Sequence, residues 1–185
     1  MSPTRHIPSF ITHYNRSEPF RSVTQSPQEM WPDVIQLLTE ETSWGVRRFS
    51  DPEYLVQRLE VEKRIRNEFI AKGGRPHLKN PIYFFLGRNI RFEEHPGNKG
   101  YIIELRNIHS DSISFTYGDS MLAYIEDYRN QAGEKYRNSL CAKVYRMGEL
   151  ESLFAHPGFP RNDSLAVEAQ LWRLPGPEVV RLAER

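Results

Sequence analysis

Apolar residues recur at helical spacing in two stretches of the first half of the chain. In the first stretch, Ser26, Pro27 and Glu29 form a capping-box pattern with proline at the first helical position. Apolar residues follow at helical spacing as far as Leu38, and this spacing predicts a helix. Pro32 lies inside the pattern, so it either kinks the helix or marks its true first turn.

The second stretch predicts a longer helix that begins after a capping segment at 50–53 and ends at the glycine pair 73–74. Its apolar residues are expected to lie broadly along one buried face: Leu55, Val56, Leu59, Ile65, Phe69 and Ile70. The opposite face carries charges of both signs: Arg58, Glu60, Glu62, Lys63, Arg64 and Glu68. Mixed charge of this kind predicts a solvated surface with weak ion pairs.

After Pro76 the pattern changes from helical to strand-like. The dense apolar run at 82–86 predicts a strand that is covered on both faces. Further strands are predicted at 9–14, 101–105, 112–117, 141–145 and 167–172, and short helices after 118–120 and at 148–155. Because helices precede strands, we expect an α+β fold with N-terminal helices packed on a mainly antiparallel sheet. Residues 1–8 are expected to form a flexible tail before a single domain at 9–185.

Composition and charge limit the class of protein. The 185 residues are 38% hydrophobic and 12% aromatic, which is enough for a packed core. A net charge of +1, from 25 Lys+Arg and 24 Asp+Glu residues, excludes a strongly basic nucleic-acid-binding module but not a local basic groove. No apolar run has the length of a signal peptide or a membrane span, so we expect a cytoplasmic protein without a membrane partner.

Cysteine and histidine give no indication of a metal site. The single cysteine, Cys141, excludes an internal disulfide and a cysteine-rich zinc site. Its place in an apolar segment predicts a buried, inert thiol. The six histidines are scattered without the close spacing of a helical metal-binding pair, so we expect no metal.

Polar residues in three predicted strands are the candidates for chemistry. The segments are 11–15, 81–89 and 166–172. In the last of them Glu168 and Gln170 share one face of a strand whose other face is apolar. A carboxylate in such a strand either faces water at an edge, forms a structural salt bridge or belongs to a site, and the sequence leaves these options open.

A fourth polar segment, 114–120, lies at a predicted junction between strand and helix. The simplest interpretation is that Asp119 or Ser120 caps the short helix that follows. The exposed amides of a helix start also suit a phosphate group, so the junction could alternatively serve a nucleotide.

Taken in chain order, segments 11–13, 82–88 and 167–172 resemble three segments of the ADP-ribosyltransferase fold, and of the DarT-type enzymes that modify DNA in particular. In that family they hold NAD, place an arginine and present a catalytic glutamate. The resemblance covers three short patches. The chain is also similar to a group of uncharacterised bacterial proteins with S-F-T-Y-x-D-S-M and E-x-Q-L-W segments, here 114–121 and 168–172.

The resemblance to DarT-type enzymes implies an antiparallel sheet that is split, and an enzyme that uses NAD as a substrate. It would transfer ADP-ribose to a macromolecular acceptor, either DNA or protein. Glu168 and Arg88 are then implied as catalytic residues, with Arg88 also clamping the NAD pyrophosphate. His13, Tyr83 and Tyr117 are implied as further NAD-binding residues.

The order of the late motif leaves one assignment open. Many ADP-ribosylating toxins carry Q-x-E or E-x-E with the catalytic glutamate second, whereas this chain has Glu168-x-Gln170. Either residue could therefore face the site.

Two other classes of function stay open at this stage. The chain could be a non-catalytic binding protein whose partner surface includes Trp31, Trp44 and the charged helix. It could also be a small hydrolase or lyase that brings His13, Asp119 and Glu168 together in a cleft. The sequence does not determine the oligomeric state.

Overall fold

The computed structural model describes residues 6–15, 19–33, 35–36, 53–133, 136, 138–160 and 167–181. The described strands are β1 (Phe10–Asn15), β2 (Ile82–Leu86), β3 (Lys99–Glu104), β4 (Ile113–Tyr117), β5 (Val144–Tyr145), β6 (Val167–Leu171) and β7 (Val180–Arg181). The described α-helices are α1 (Tyr54–Ala71), α2 (Ile90–Glu93), α3 (Ser120–Tyr124), α4 (Glu126–Ala132) and α5 (Leu150–Ala155). None of these helices is both long and apolar enough to cross a membrane.

The strands form one open antiparallel sheet in the order β5-β4-β6-β2-β1-β3-β7, which confirms the predicted α+β class. The three strands that carry the segments singled out above, β6, β2 and β1, are neighbours at its centre. Their register places Thr12 opposite Phe85 and Phe85 opposite Glu168. On the other side of β6, Thr116 is also paired with Glu168.

Alternation along the strands gives the sheet two unlike faces. One face, here the apolar face, supplies the main core: Ile11, Ile82, Phe84, Ile113, Phe115, Ala169 and Leu171. The other, here the polar face, carries Thr12, Tyr14, Tyr83, Phe85, Ser114, Thr116, Glu168 and Gln170. Helix α1 packs on the polar face, where its Phe69 ring stacks on Trp172 at 6.1 Å between centroids. Both faces of the central strands are therefore covered.

Helix α1 has the predicted extent but not the predicted orientation. Val56 and Ile70, expected in its buried face, are 51% and 43% exposed. Glu62, expected in solvent, is only 1% exposed, and the Glu68 carboxylate accepts the backbone N–H of Val144 at 2.9 Å. The prediction of a fully solvated charged face is therefore wrong, because the helix turns part of that face towards polar groups of the sheet.

The first predicted helix is shorter within the described residues. Two 3-10 turns, Val23–Gln25 and Gln28–Met30, lead into helical residues 31–33 and 35–36. Pro32 lies in the first turn of that helical stretch, and the capping box is formed by Ser22 with Gln25 instead of by Ser26. The last residues of this predicted helix lie outside the described residues. Trp44 and positions 50–52 of the cap predicted for the second helix lie outside them as well.

The strand predicted at 141–145 is confined to β5. Cys141 and Ala142 lie in a turn, and Ala142 has a positive φ of 53°, which a strand does not permit. Cys141 is nevertheless buried, and burial raises the pKa of its thiol. This environment agrees with the predicted inert cysteine.

The turn between β4 and α3 requires a glycine at 118. Gly118 has a φ of +72°, and a Cβ atom there would lie 2.7 Å from the Tyr136 ring. The Asp119 carboxylate then accepts the backbone N–H groups of Met121 and Leu122 at 2.9 and 3.3 Å, as the capping interpretation predicted. This turn delivers the amide of Ser120 to the polar face.

Candidate functional site

Glu168 lies at the end of the polar face, where β4 turns into α3. Its side chain is half-buried, and Oε2 accepts the backbone N–H of Ser120 at 3.0 Å. The sheet register and the Gly118 turn together create this contact between residues 48 positions apart. Glu168 is thus held by the backbone of a neighbouring element.

The Glu168 carboxyl has an acidity suited to proton transfer near neutral pH. Burial and the nearby Asp119 carboxylate raise its pKa to about 7, although Arg58 and the hydrogen bonds from Ser120 oppose the rise. A carboxyl group that titrates near pH 7 can accept and return a proton under physiological conditions. Perturbation of this kind by burial and a specific charged neighbour is typical of functional sites.

Arg58, on helix α1, contributes a positive charge that acts on Glu168. The guanidinium carbon of Arg58 lies 3.9 Å from the centre of the Tyr83 ring, the geometry of a cation–π contact. Its Nε donates to Glu62 Oε1 at 3.2 Å. The sequence pattern predicts a solvated Arg58, but the side chain is only 15% exposed. The signal available in the sequence was its position between Leu55 and Leu59, at the border of the apolar stripe.

Buried hydroxyl groups lie on or beside the polar face that carries Glu168. Thr12 and Ser120 are fully buried, and hydrogen bonds of the Ser120 side chain oppose the rise in the pKa of Glu168 and of Tyr83. Ser120 is close to both Glu168 and Tyr83, since it affects the pKa of each.

Gln170 shares the polar face but is already engaged. Trp172 Nε1 donates to Ser114 Oγ at 2.8 Å, and that hydroxyl donates to Gln170 Oε1 at 3.0 Å. Gln170 Nε2 in turn donates to Thr116 Oγ1 at 2.8 Å. The amide therefore belongs to a buried hydrogen-bonded chain within the protein, which leaves Glu168 as the residue of the pair with capacity for a ligand.

Two predicted residues lie on the opposite side of the sheet. His13 Nδ1 donates to the Tyr83 carbonyl at 2.7 Å, while Nε2 accepts the Phe20 N–H at 3.2 Å. Burial lowers the pKa of His13, and the two bonds suit its neutral form. Tyr117 is buried in the main core against Phe159, with ring centroids 5.5 Å apart. The sheet separates both side chains from Glu168.

Arg88 follows β2 and lies beside the polar face at its β1–β2 end. It forms a half-exposed ion pair with Glu93, with Nε 2.8 Å from Oε2. Burial raises the pKa of Tyr14 on that face, and the neighbouring Arg88 charge opposes the rise. Arg88 therefore lies close to Tyr14 and is held there by a surface carboxylate.

The structure also bears on the two alternatives. The proposed grouping of His13 with Asp119 and Glu168 is not formed, because His13 occupies the apolar face. Trp31 is half-buried and donates its indole N–H to the Ser26 carbonyl at 3.2 Å, while Trp44 lies outside the described residues. Within the part of the chain that is described, no three His, Cys, Asp or Glu side chains could hold a metal together.

A surface cavity has a volume of about 420 Å³, and none of the predicted site residues lines it. It is lined by Thr24, Gln25, Leu78, Lys79, Asn80 and Leu174. Two of these, Thr24 and Asn80, contact the carboxylate that holds Arg58.

Comparison with known proteins adds no assignment. No protein-family model, curated protein or solved structure matches this chain. The class of site is therefore defined by its own groups. It combines a proton-accepting carboxylate, a guanidinium over a tyrosine ring and several buried hydroxyls on one face of an antiparallel sheet.

Glu168→Gln should stabilise the protein at alkaline pH but not at acidic pH. Because the folded-state pKa of about 7 exceeds the ordinary 4.5, the stability contributed by Glu168 is complete below pH 4.5 and is lost as the pH rises through about 7. At pH 8.5 the free energy of unfolding should rise by at most roughly 3 kcal/mol. The actual rise should be smaller, because solvent reaches the half-buried side chain. Thermal unfolding at pH 5 and pH 8.5 measures it.

Glu178→Gln is the matched control for this prediction. Burial raises the pKa of Glu178, but its hydrogen bonds and the Arg173 charge lower that pKa by a larger amount. The net shift of the pKa is therefore downward. Its contribution to stability is therefore present above the ordinary pKa and is lost on acidification. Loss of stability at pH 8.5 is expected for this variant, and the same sign in both variants would contradict the assigned environments.

Proposed function

We propose that this chain binds NAD and transfers ADP-ribose to a macromolecular acceptor, DNA or protein, with Glu168 as its catalytic residue. One arrangement carries the proposal: the half-buried Glu168 carboxylate lies on the central strands, is held at Oε2 by the Ser120 amide and is close to Arg58, and burial raises its pKa to about 7. Those strands, β1, β2 and β6, bear the three segments that resemble DarT-type enzymes. The chemistry needed for NAD fits these groups step by step.

Glu168 would act on the ribose that carries nicotinamide. When the bond from C1′ to the nicotinamide nitrogen breaks, its electron pair leaves with neutral nicotinamide and positive charge develops on the sugar. A fixed carboxylate stabilises that charge and can accept a hydrogen bond from the 2′-hydroxyl. As the acceptor attacks C1′, the carboxylate can take the proton that the acceptor group loses.

The two arginines near the polar face suit the diphosphate of NAD. Glu62 engages Arg58 through Nε, one of the five N–H donors of a guanidinium, so the other donors can serve a phosphate. Arg88 would exchange Glu93 for a phosphate oxygen. Exposed ion pairs of this kind contribute only about 0–1 kcal/mol, so the exchange costs little.

The remaining predicted residues take different parts in this proposal. Tyr83 would offer its hydroxyl to the ligand in place of the Ser120 side chain. His13 acts only through its hydrogen bond to the Tyr83 carbonyl, which fixes β2. Thr12, next to His13 in the chain, is a β1 residue that shares the polar face with Glu168.

An NAD titration tests the proposal directly. Thermal unfolding is followed with NAD up to about 5 mM, above the usual range of KM, and nicotinamide release is measured in parallel. We expect a concentration-dependent rise in Tm, since a ligand that binds only the folded state adds about 2.7 kcal/mol of stability at 100 times its Kd. AMP serves as a control for binding through the adenosine half alone.

Three results are distinguishable in this experiment. A rise in Tm with release of nicotinamide supports the whole proposal. A rise in Tm without release, even with DNA and protein acceptors present, would overturn catalysis and favour a non-catalytic NAD-binding protein. An unchanged Tm and no release would overturn the proposal altogether.

A further inference from the structure

We propose that Glu62 is a positioning residue, which holds the Arg58 guanidinium over Tyr83 and so keeps it from moving into a close ion pair with Glu168. The geometric part of this inference stands on the contacts of Glu62 alone. Its consequence for turnover rests on the proposed function, in which Glu168 must be available to the ribose and the acceptor.

The Glu62 carboxylate is fixed from three directions. It is 1% exposed, and Oε1 accepts Arg58 Nε at 3.2 Å. Oε2 accepts Thr24 Oγ1 at 2.8 Å and Asn80 Nδ2 at 2.7 Å. These donors come from three separate segments of the chain, so neither oxygen can turn without breaking a buried hydrogen bond. Such a carboxylate is a rigid anchor for the arginine one helical turn before it.

One guanidinium interacts with two carboxylates and two tyrosines. Burial lowers the pKa of Arg58, but Tyr83, Tyr54, Glu62 and Glu168 together raise it well above its usual value. The groups that face Glu168 are Arg58 from α1, Tyr83 from β2 and Asp119 before α3. Glu62 and Glu168 therefore compete for Arg58, and the hydrogen bond of 3.2 Å shows that Glu62 holds it.

The competition has a direct consequence for Glu168. Burial and Asp119 raise its pKa to about 7 while Arg58 is bound elsewhere. If Glu62 loses its charge, Glu168 becomes the stronger partner for Arg58. Ion pairing would then stabilise the ionised form of Glu168 and occupy the oxygen that the ligand needs. A residue that serves packing alone would not change this titration.

Glu62→Gln tests the inference, with Glu60→Gln as its matched control on the exposed side of the same helix. The Glu168 titration is measured in each background as the pH dependence of the difference in Tm between that protein and the same protein carrying Glu168→Gln. In Glu62→Gln we expect the midpoint to fall from about 7 by at least about one pH unit, the usual effect of an adjacent opposite charge. Glu60→Gln should leave it unchanged.

An unchanged midpoint in Glu62→Gln overturns the positioning role, whatever the stability of that variant. If Glu62→Gln does not fold, Glu62→Asp replaces it, because aspartate keeps the charge but withdraws the carboxylate from Arg58 by one methylene. We then expect a smaller downward change of the midpoint. No change in Glu62→Asp overturns the inference equally.

The titration separates this inference from the proposed function. If the wild-type protein neither binds nor cleaves NAD, the proposed function fails, and the midpoint still decides whether Glu62 positions Arg58. If the wild-type protein is active, kcat should fall about tenfold or more in Glu62→Gln, with a smaller change in KM. An unchanged kcat would show that the position of Arg58 does not matter to turnover.

Discussion

Glu168→Gln should reduce the rate of nicotinamide release from NAD by about 10²–10³-fold, the usual effect of removing one preorganised stabilising group. Glutamine has nearly the same shape as glutamate but carries no charge and accepts no proton. It can still accept the Ser120 N–H that holds Oε2 in the wild-type protein. The fold and the binding of NAD should therefore persist while the chemical step is lost.

The measurement is kcat from nicotinamide release, with Tm as the test of folding and the NAD-dependent change in Tm as the test of binding. Glu178→Gln makes the same chemical change at a carboxylate paired with Arg173 and should keep full activity. If the activity of Glu168→Gln stays within about threefold of the wild-type activity, the loss is far smaller than expected. Glu168 is then not the catalytic residue.

Trp172→Ala should produce the largest loss of stability, about 3–5 kcal/mol, as usual for truncation of a buried aromatic residue. Trp172 is fully buried and stacks on Phe69 of α1. It also begins the hydrogen-bonded chain through Ser114 to Gln170 under the polar face. Since a whole domain is stable by only about 5–15 kcal/mol, this variant should be close to unfolding.

Trp172→Phe separates packing from hydrogen bonding in this prediction. It keeps most of the contact with Phe69 but removes the indole N–H, so a loss of about 1–3 kcal/mol is expected from the buried Ser114 hydroxyl without its donor. Urea unfolding of the two variants measures both effects. A loss below about 1 kcal/mol in Trp172→Ala would contradict the burial on which the prediction stands.

The local patterns predicted most elements of the sheet because alternation and apolar density are properties of a few adjacent residues. Strands β1, β2, β4 and β6 lie within one or two residues of their predicted bounds. The same alternation predicted that Glu168 and Gln170 lie on one face of their strand. The sequence also identified the cap at Asp119, since side-chain capping depends only on the next two or three amides.

The relation between strands was beyond such local patterns. Alternation shows which residues of one strand share a face, but hydrogen bonding between distant segments decides which face of one strand matches which face of the next. The resemblance to DarT-type enzymes implied His13 and Tyr117 beside Glu168, whereas the register puts Thr12 and Thr116 on its face of the sheet. A shift of one residue along a strand moves every side chain to the other face.

By itself, the sequence determined the α+β class, the central strands and the residues that could carry chemistry, because each depends on short-range spacing and residue type. Only the tertiary structure decided which of those residues meet. The rotation of α1 buries Arg58 and Glu62 against Tyr83, and the Gly118 turn brings the Ser120 amide to Glu168. The physical reason is that burial and proximity arise from packing between remote segments, and these also set the acidity of Glu168.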